Sequence, residues 1–169
     1  DTINVAALSA GAMINLNPGQ ASTFAGSSFV IASGTVIENV IGGSGDDHLY
    51  GNGVNNEIAG LGGDDTIDGG AGTDTAIYEG QRSDFEVKFQ STNGTSAWTV
   101  RDLSAVGKEG TDALTSIERL QFLANVDGVA YIDQTLEIGT TGNDTFNWDG
   151  NSAYRLYHMG GIGYDSLNL

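Results

Sequence analysis

The sequence contains no cysteine, a single proline and only six lysine and arginine residues among 169. Without cysteine, disulfide bonds and thiolate zinc sites are excluded. The formal net charge of −16, from 22 acidic residues, argues against nucleic acid and anionic membranes as partners and favours cations. No apolar run is long enough to span a bilayer, so we expect no membrane span. With 26 glycines, the composition favours a turn-rich β architecture.

The sequence also lacks the motifs of common catalytic sites. Its two histidines, His48 and His158, do not form an H-E-x-x-H zinc motif. There is no G-x-S-x-G elbow, no cysteine nucleophile and no phosphate-binding glycine loop. Pairs of aspartates could imitate a glycosidase site, but their regular spacing with glycine assigns them to another role. The sequence therefore predicts a module that is not an enzyme.

What the sequence does contain is a nine-residue repeat from Gly42 to Ile77. Its four units read GGSGDDHLY, GNGVNNEIA, GLGGDDTID and GGAGTDTAI. Glycine opens every unit, and the sixth and eighth places are also regular. The sixth places are Asp47, Asn56, Asp65 and Asp74, and the eighth places are Leu49, Ile58, Ile67 and Ala76. A short fixed period predicts a solenoid of stacked coils.

Each unit has a physical interpretation as a turn followed by a short strand. The last three residues are too few for a helix but can form a strand with one inward side chain. With two units per coil, Asp47 would stack beside Asp65, and Asn56 beside Asp74. Stacked carboxylates repel unless a cation lies between them, and an oxygen cage without Cys or His favours calcium. The alternative is a flexible linker, and the fixed phase of the apolar eighth place argues against it.

The repeat resembles the nonapeptide G-G-x-G-x-D-x-U-x of RTX proteins, which bind calcium. This resemblance implies an all-β fold, a parallel β-roll, in which backbone carbonyls and sixth-place side chains hold Ca²⁺. The implied ligands are Gly43, Gly45, Asp47, Val54, Asn56, Gly60, Gly62, Gly63, Asp65, Gly69, Gly70, Ala71, Gly72 and Asp74. The second unit has Val54 in place of glycine and Asn56 in place of aspartate. We therefore expect the Asn56–Asp74 position to bind calcium more loosely than the Asp47–Asp65 position.

The residues before the repeat show a second resemblance. The stretch DTINVAALSAGAMINLNPGQASTFAG, followed by GTVIENVIGGSGDD, is similar to the C-terminal module of serralysin-type metalloproteases. The resemblance implies that Glu38 and the carbonyl of Val36 are calcium ligands in an irregular first unit. An ordinary surface glutamate at position 38 is the alternative, and the sequence leaves both open.

The repeat divides the chain into four predicted parts. Residues 1–32 form an N-terminal β flank, 33–78 the β-roll, and 79–138 a β-rich, sandwich-like cap. The cap contains DFEVKF and WTVRDL, which alternate as strands, and LTSIERLQF, which fits either a strand or a short helix. In residues 139–169 the repeat returns as the start of a second, truncated roll. Its implied calcium ligands are Asp144, Gly161, Gly163 and Asp165.

The resemblance implies a function. RTX modules leave Gram-negative bacteria unfolded through the type I secretion machinery and fold outside the cell, where calcium is abundant. The expected partners are calcium ions, the secretion machinery and an attached domain that the module stabilises, here a serralysin-like metalloprotease. One alternative is a segment of an RTX adhesin or surface protein that binds carbohydrate. Another is an accessory module of a polysaccharide-modifying enzyme.

Overall fold

A computed structural model describes residues 1–92, 95–105, 108–126, 129–138, 145–147 and 166–168. These residues form short β-strands and one 3-10 turn at Arg82–Asp84. The strands up to residue 79 are β1 (Thr2–Asn4), β2 (Met13–Asn15), β3 (Ala21–Phe24), β4 (Ser27–Val30), β5 (Asn39–Ile41), β6 (His48–Tyr50), β7 (Glu57–Ala59), β8 (Thr66–Asp68) and β9 (Thr75–Glu79). The later strands are β10 (Phe85–Thr92), β11 (Thr95–Asp102), β12 (Thr111–Thr115), β13 (Arg119–Val126), β14 (Val129–Glu137), β15 (Thr145–Asn147) and β16 (Ser166–Asn168).

Successive repeat units alternate between two sheets, as a β-roll requires. One sheet has the order β1-β5-β7-β9-β13-β14, and the other β10-β11-β12-β8-β6-β2-β3-β4. Within them, Leu49 pairs with Ile67 and Val40 with Ile58, in parallel. Partners lie eighteen residues apart, which confirms two units per coil. The all-β, parallel β-roll expected from the repeat is therefore confirmed.

The core of the roll is two facing rows of apolar side chains. One inward residue suffices in each three-residue strand of the roll, namely β2, β5, β6, β7 and β8. The rows are Ile14, Leu49, Ile67 and Leu114 in one sheet and Val40, Ile58, Ala76 and Leu120 in the other, all 0–1% exposed. Each buried Leu or Ile stabilises the fold by roughly 1.5–3 kcal/mol, so this narrow core contributes little per ordered residue.

The two sheets continue beyond the repeats on both sides. Before them, β1 pairs in parallel with β5, and β2 with β6. After them, β12 pairs in parallel with β8, and β13 with β9. The predicted boundaries at residues 32 and 78 stay predictions, and both sheets run across them. The stretch LTSIERLQF, left open above, enters the end of β12 and the start of β13 and contains no helix.

Between β9 and β12 the chain leaves the roll to form the hairpin β10–β11. Phe85 pairs with Asp102 and Phe89 with Trp98, as the alternating pattern predicted. Phe85 and Trp98 are buried, and Phe89 packs partly buried against the core. The rings of Tyr78, Phe85 and Phe122 lie with centroids 5.1–5.7 Å apart. This aromatic cluster widens the core where the hairpin joins the roll.

Little of the predicted second roll falls within the described residues. Strands β15 and β16 pair in parallel, with Phe146 opposite Leu167. The implied ligands Asp144, Gly161, Gly163 and Asp165 lie outside the described residues. Across the part of the chain that is described, no helix has the length and hydrophobicity needed to span a membrane.

Candidate metal centre

The turns of the roll form two edges, one before each sheet. We call the first the aspartate edge. Its turns lead to Asp47 and Asp65, just before β6 and β8, and to Asp112, the second residue of β12. We call the second the asparagine edge. Its turns end at Glu38, Asn56, Asp74 and Glu118, just before β5, β7, β9 and β13. The sixth-place residues predicted to stack are therefore neighbours along each edge.

Carboxylates on the aspartate edge form a ladder of hydrogen bonds. The backbone N–H of Ala12 donates to Asp47 Oδ1 at 2.7 Å, and that of Asp47 to Asp65 Oδ1 at 2.8 Å. The N–H of Asp65 donates to Asp112 Oδ1 at 2.9 Å. All three side chains are 1–2% exposed. Each of these carboxylates therefore ties its own turn to the corresponding turn of the preceding coil. Each is also shielded from water.

One buried aspartate on each edge keeps an oxygen without a hydrogen-bond partner among the described residues. Asp65 Oδ2 and Asp74 Oδ2 have no hydrogen bond among the described residues. Burial, together with the negative charges of Asp46, Asp47 and Asp64, raises the pKa of Asp65 to about 7. Burial and the charge of Glu118 raise the pKa of Asp74 to about 6. Burying such an oxygen costs free energy unless it carries a proton or contacts a cation.

The glycines that open each unit bring further oxygens to the same places. A Cβ at Gly42 would collide with Asp47 Oδ2 and with the carbonyl oxygen of Gly60. A Cβ at Gly51 would likewise collide with Gly69 O and Asn56 Oδ1. The backbone therefore approaches so closely that carbonyl and side-chain oxygens of two successive coils share one space. Only glycine permits this approach.

The donor set of these turns fits calcium. Carboxylate and carbonyl oxygens are hard ligands, and Ca²⁺ accepts six to eight of them in irregular geometry. Within the described ranges, no three His, Cys, Asp or Glu side chains gather closely enough to hold a metal ion. Backbone carbonyls would therefore have to supply most ligands, as the repeat predicts.

The predicted ligands differ in environment. Three of the glycines predicted as carbonyl ligands have positive φ angles, namely Gly63 (φ 112°), Gly70 (φ 90°) and Gly72 (φ 136°). On the asparagine edge, Val36 and Val54 are exposed. The side chain of Glu38 is 42% exposed. Glu38 contacts Asn56 through its backbone carbonyl.

Two acidic residues on the edges were missed at the sequence level. Asp112 accepts from Asp65 N, and Glu118 Oε2 accepts from Asp74 N at 2.7 Å. They occupy the sixth-place position of one further coil, contributed by the predicted cap. The signal that could have found it is Gly110-x-Asp112-x-Leu114, the second half of a repeat unit without its opening glycines.

The aspartate edge ends in a second group of buried acids. Burial raises the pKa of Asp112 to about 8 and that of Glu109 to about 8. Among the described residues, Glu109 Oε1 is buried without a hydrogen-bond partner. Burial, with the charge of Asp112, also raises the pKa of Tyr78. In the absence of a cation, these acids would be stable only when protonated.

Stacked coils with oxygen-lined turns define a parallel β-roll of the calcium-binding class. The family model described as Peptidase M10 serralysin C terminal matches residues 1–156. The chain belongs to this family, which comprises calcium-binding β-roll modules of secreted proteins. The match confirms the resemblance to RTX proteins and to serralysins, and the family is not catalytic.

Similarity to other proteins is more distant. The extracellular lipase LipA from Serratia marcescens is 18% identical, with a TM-score of 0.28. The matched region covers 81% of this chain and 28% of the lipase chain. The chain thus spans well under a third of that relative's length. None of the curated proteins compared matches the chain.

Proposed function

We propose that this chain is a non-catalytic module that folds when calcium binds in the turns of its roll. The observation that carries the proposal is the pair of buried oxygens without partners, Asp65 Oδ2 and Asp74 Oδ2. The proposed ligands are the sixth-place side chains and nearby backbone carbonyls. They are Gly43, Gly45, Asp47, Gly60, Gly62, Gly63, Asp65, Gly69, Gly70, Ala71, Gly72, Asp74 and Asp112.

Charge and core size explain why folding would need the metal. The repeats contain Asp46, Asp47, Glu57, Asp64, Asp65, Asp68 and Asp74, but no lysine or arginine. Without calcium, these acids repel one another and resist burial. The two narrow rows of apolar side chains cannot offset both this repulsion and the lost chain entropy. Calcium binding would convert repulsion into coordination, so its binding free energy becomes folding free energy.

We further propose that calcium couples folding to export from a Gram-negative bacterium. Membership of a family of secreted modules supports this proposal. At low cytosolic calcium the chain would stay unfolded and pass through the type I secretion machinery. Outside the cell it would fold and stabilise an attached domain, for which a serralysin-like metalloprotease is our first candidate.

Circular dichroism of the whole 169-residue chain tests the folding proposal. We expect low β-content in chelator and a cooperative gain on adding calcium, whereas magnesium should substitute poorly because it requires near-octahedral geometry. The cap has its own aromatic cluster, so part of the circular dichroism signal of β-structure can remain in chelator. Equal β-content and equal thermal midpoints in chelator and in calcium would refute the proposal.

Export and stabilisation need a separate experiment. A passenger enzyme fused to this chain would be expressed with and without a type I secretion system. We expect export only with the system present, and a calcium-dependent rise in the thermal midpoint of the exported passenger. A passenger whose midpoint is the same with and without the module would contradict the stabilising role.

A further inference from the structure

One turn of the asparagine edge differs from the others because two side-chain amides fill it. Asn52 and Asn56, in the second repeat unit, are only 7% and 1% exposed. Asn56 Nδ2 donates to the carbonyl oxygen of Glu38 at 2.7 Å. Asn52 Nδ2 donates to the carbonyl oxygens of Ile37 at 2.7 Å and of Leu16 at 3.3 Å. These amides therefore contact the carbonyls of the preceding coil directly.

The network of these two amides is closed. The remaining hydrogen of Asn56 Nδ2 points to Asn52 Oδ1 at 3.3 Å, which also accepts from the N–H of Val54 at 3.1 Å. Asn56 Oδ1 accepts from the N–H of Asn52 at 2.9 Å. These backbone donors fix which end of each amide is the oxygen. All four amide hydrogens have acceptors, and both amide oxygens have donors.

A closed amide network leaves no place for a cation. A calcium ion bound to the carbonyls of Ile37 or Glu38 would meet N–H groups, which carry partial positive charge. Among residues 36–38 and 52–56, all of them described, there is no buried carboxylate, because the Glu38 side chain is 42% exposed and Asn56 is neutral. Removing negative ligands weakens calcium binding.

We propose that the space between residues 36–38 and 52–56 is closed by the amides of Asn52 and Asn56 and binds no calcium. The amide hydrogens take the role that the ion has in the other turns, which is to join the oxygens of two coils. This inference departs from the ligand role that resemblance implied for Val36 and Glu38. The inference rests on the proposed function in one respect, which is that the other turns of the roll bind calcium.

The consequence is one coil of the roll that holds together without metal. The turn at residues 52–56 is tied to the preceding coil through hydrogen bonds to Leu16, Ile37 and Glu38. It also presents the N–H of Asn56 to Asp74 Oδ1 at 2.7 Å. The metal-independent turn therefore holds this hydrogen-bond donor in place for the turn at residues 70–74 of the next coil.

Counting bound ions in the whole chain tests the inference. The variant Asn52→Gly/Asn56→Asp restores the glycine and aspartate of the repeat and removes all four amide hydrogens. We expect native mass spectrometry in excess calcium to show one more ion per chain in this variant than in the wild type. Asn55→Asp is the matched control, since it adds a charge in the same turn at an exposed residue outside the network. The control should bind the wild-type number.

The outcomes separate this inference from the proposed function. Equal ion counts in the wild type and the double variant would overturn the inference, whereas a wild type that binds no calcium would overturn the proposed function. If the double variant does not fold, amide exchange in the calcium-loaded wild type decides. The side-chain NH₂ groups of Asn52 and Asn56 should then exchange at least about tenfold more slowly than that of exposed Asn55. Equal exchange rates would overturn the inference.

Discussion

The two edges of the roll are built from the same nine-residue unit, but they join the oxygens of stacked turns in different ways. On the aspartate edge, Asp47, Asp65 and Asp112 are buried in line, and burial with neighbouring charge raises the pKa of Asp65 and Asp112. On the asparagine edge, Asn52 and Asn56 join two coils through neutral amides. The comparison teaches that carbonyls of stacked turns need a positive partner, and that either an ion or an N–H group can supply it.

The largest expected difference between the edges is in calcium affinity. Asp65→Ala removes a proposed charged ligand, whose Oδ2 has no partner among the described residues, so we expect affinity to fall at least about tenfold, or about 1.4 kcal/mol. Asn56→Ala should change affinity much less. Calorimetric titration measures both, with Glu57→Ala as a control that removes a nearby exposed charge. Equal losses for Asp65→Ala and Asn56→Ala would mean that the edges do not differ in this way.

An effect of similar size, on stability rather than on affinity, is expected at the last rung of the aspartate edge. Asp112→Ala would leave the buried N–H of Asp65 without its acceptor, which typically costs about 1–3 kcal/mol. Asp112→Asn keeps a side-chain oxygen at that place and should recover part of this loss. Urea unfolding in excess calcium measures the free energy of unfolding for both. If Asp112→Ala unfolds like the wild type, residues 108–115 do not complete the roll.

A further comparison is the dependence of stability on pH. In chelator, the folded chain holds protons on Asp65, Asp112 and Glu109 up to about pH 7–8, whereas an unfolded Asp or Glu loses its proton near pH 4. Any metal-free structure should therefore be most stable below about pH 4–5 with respect to these groups, and lose stability as the pH rises to about 8.

Thermal midpoints at several pH values, in chelator and in calcium, check this prediction. Saturating calcium should flatten the profile, since coordination favours the ionised carboxylates. Asp65→Asn should flatten the profile in chelator, while Asn56→Asp, on the other edge, should not. A profile in chelator that rises with pH would contradict the pKa directions given above.

The roll itself could be predicted from the sequence because its determinants are local and periodic. Glycine at the first place predicted the turn, and the apolar residue at the eighth place predicted the inward row. The period of nine, with two units per coil, predicted that Leu49 stacks on Ile67, eighteen residues further along the chain. The alternation in Phe85–Phe89 likewise predicted the hairpin β10–β11. These features depend on residues close together in the chain.

What the sequence did not reveal depends on contacts between distant segments. Asp112 reaches Asp65 only because the hairpin between β9 and β12 returns the chain to the roll. Asn56 was predicted to be a weakened calcium ligand, and Asn52 had no predicted role, because the partners of both amides are backbone carbonyls that no sequence pattern displays. The ligand assignments of individual residues stay predictions.

The strand order also shows where the stacking of identical coils is interrupted. In the two large sheets, the edge strands β4, β10 and β14 each pair with their neighbour in an antiparallel hairpin. At these three edges, hairpins of different sequence and register replace the nine-residue coil. The unpaired backbone that a second copy would meet there therefore does not repeat the pattern of the roll, which disfavours edge-to-edge stacking of copies at these places.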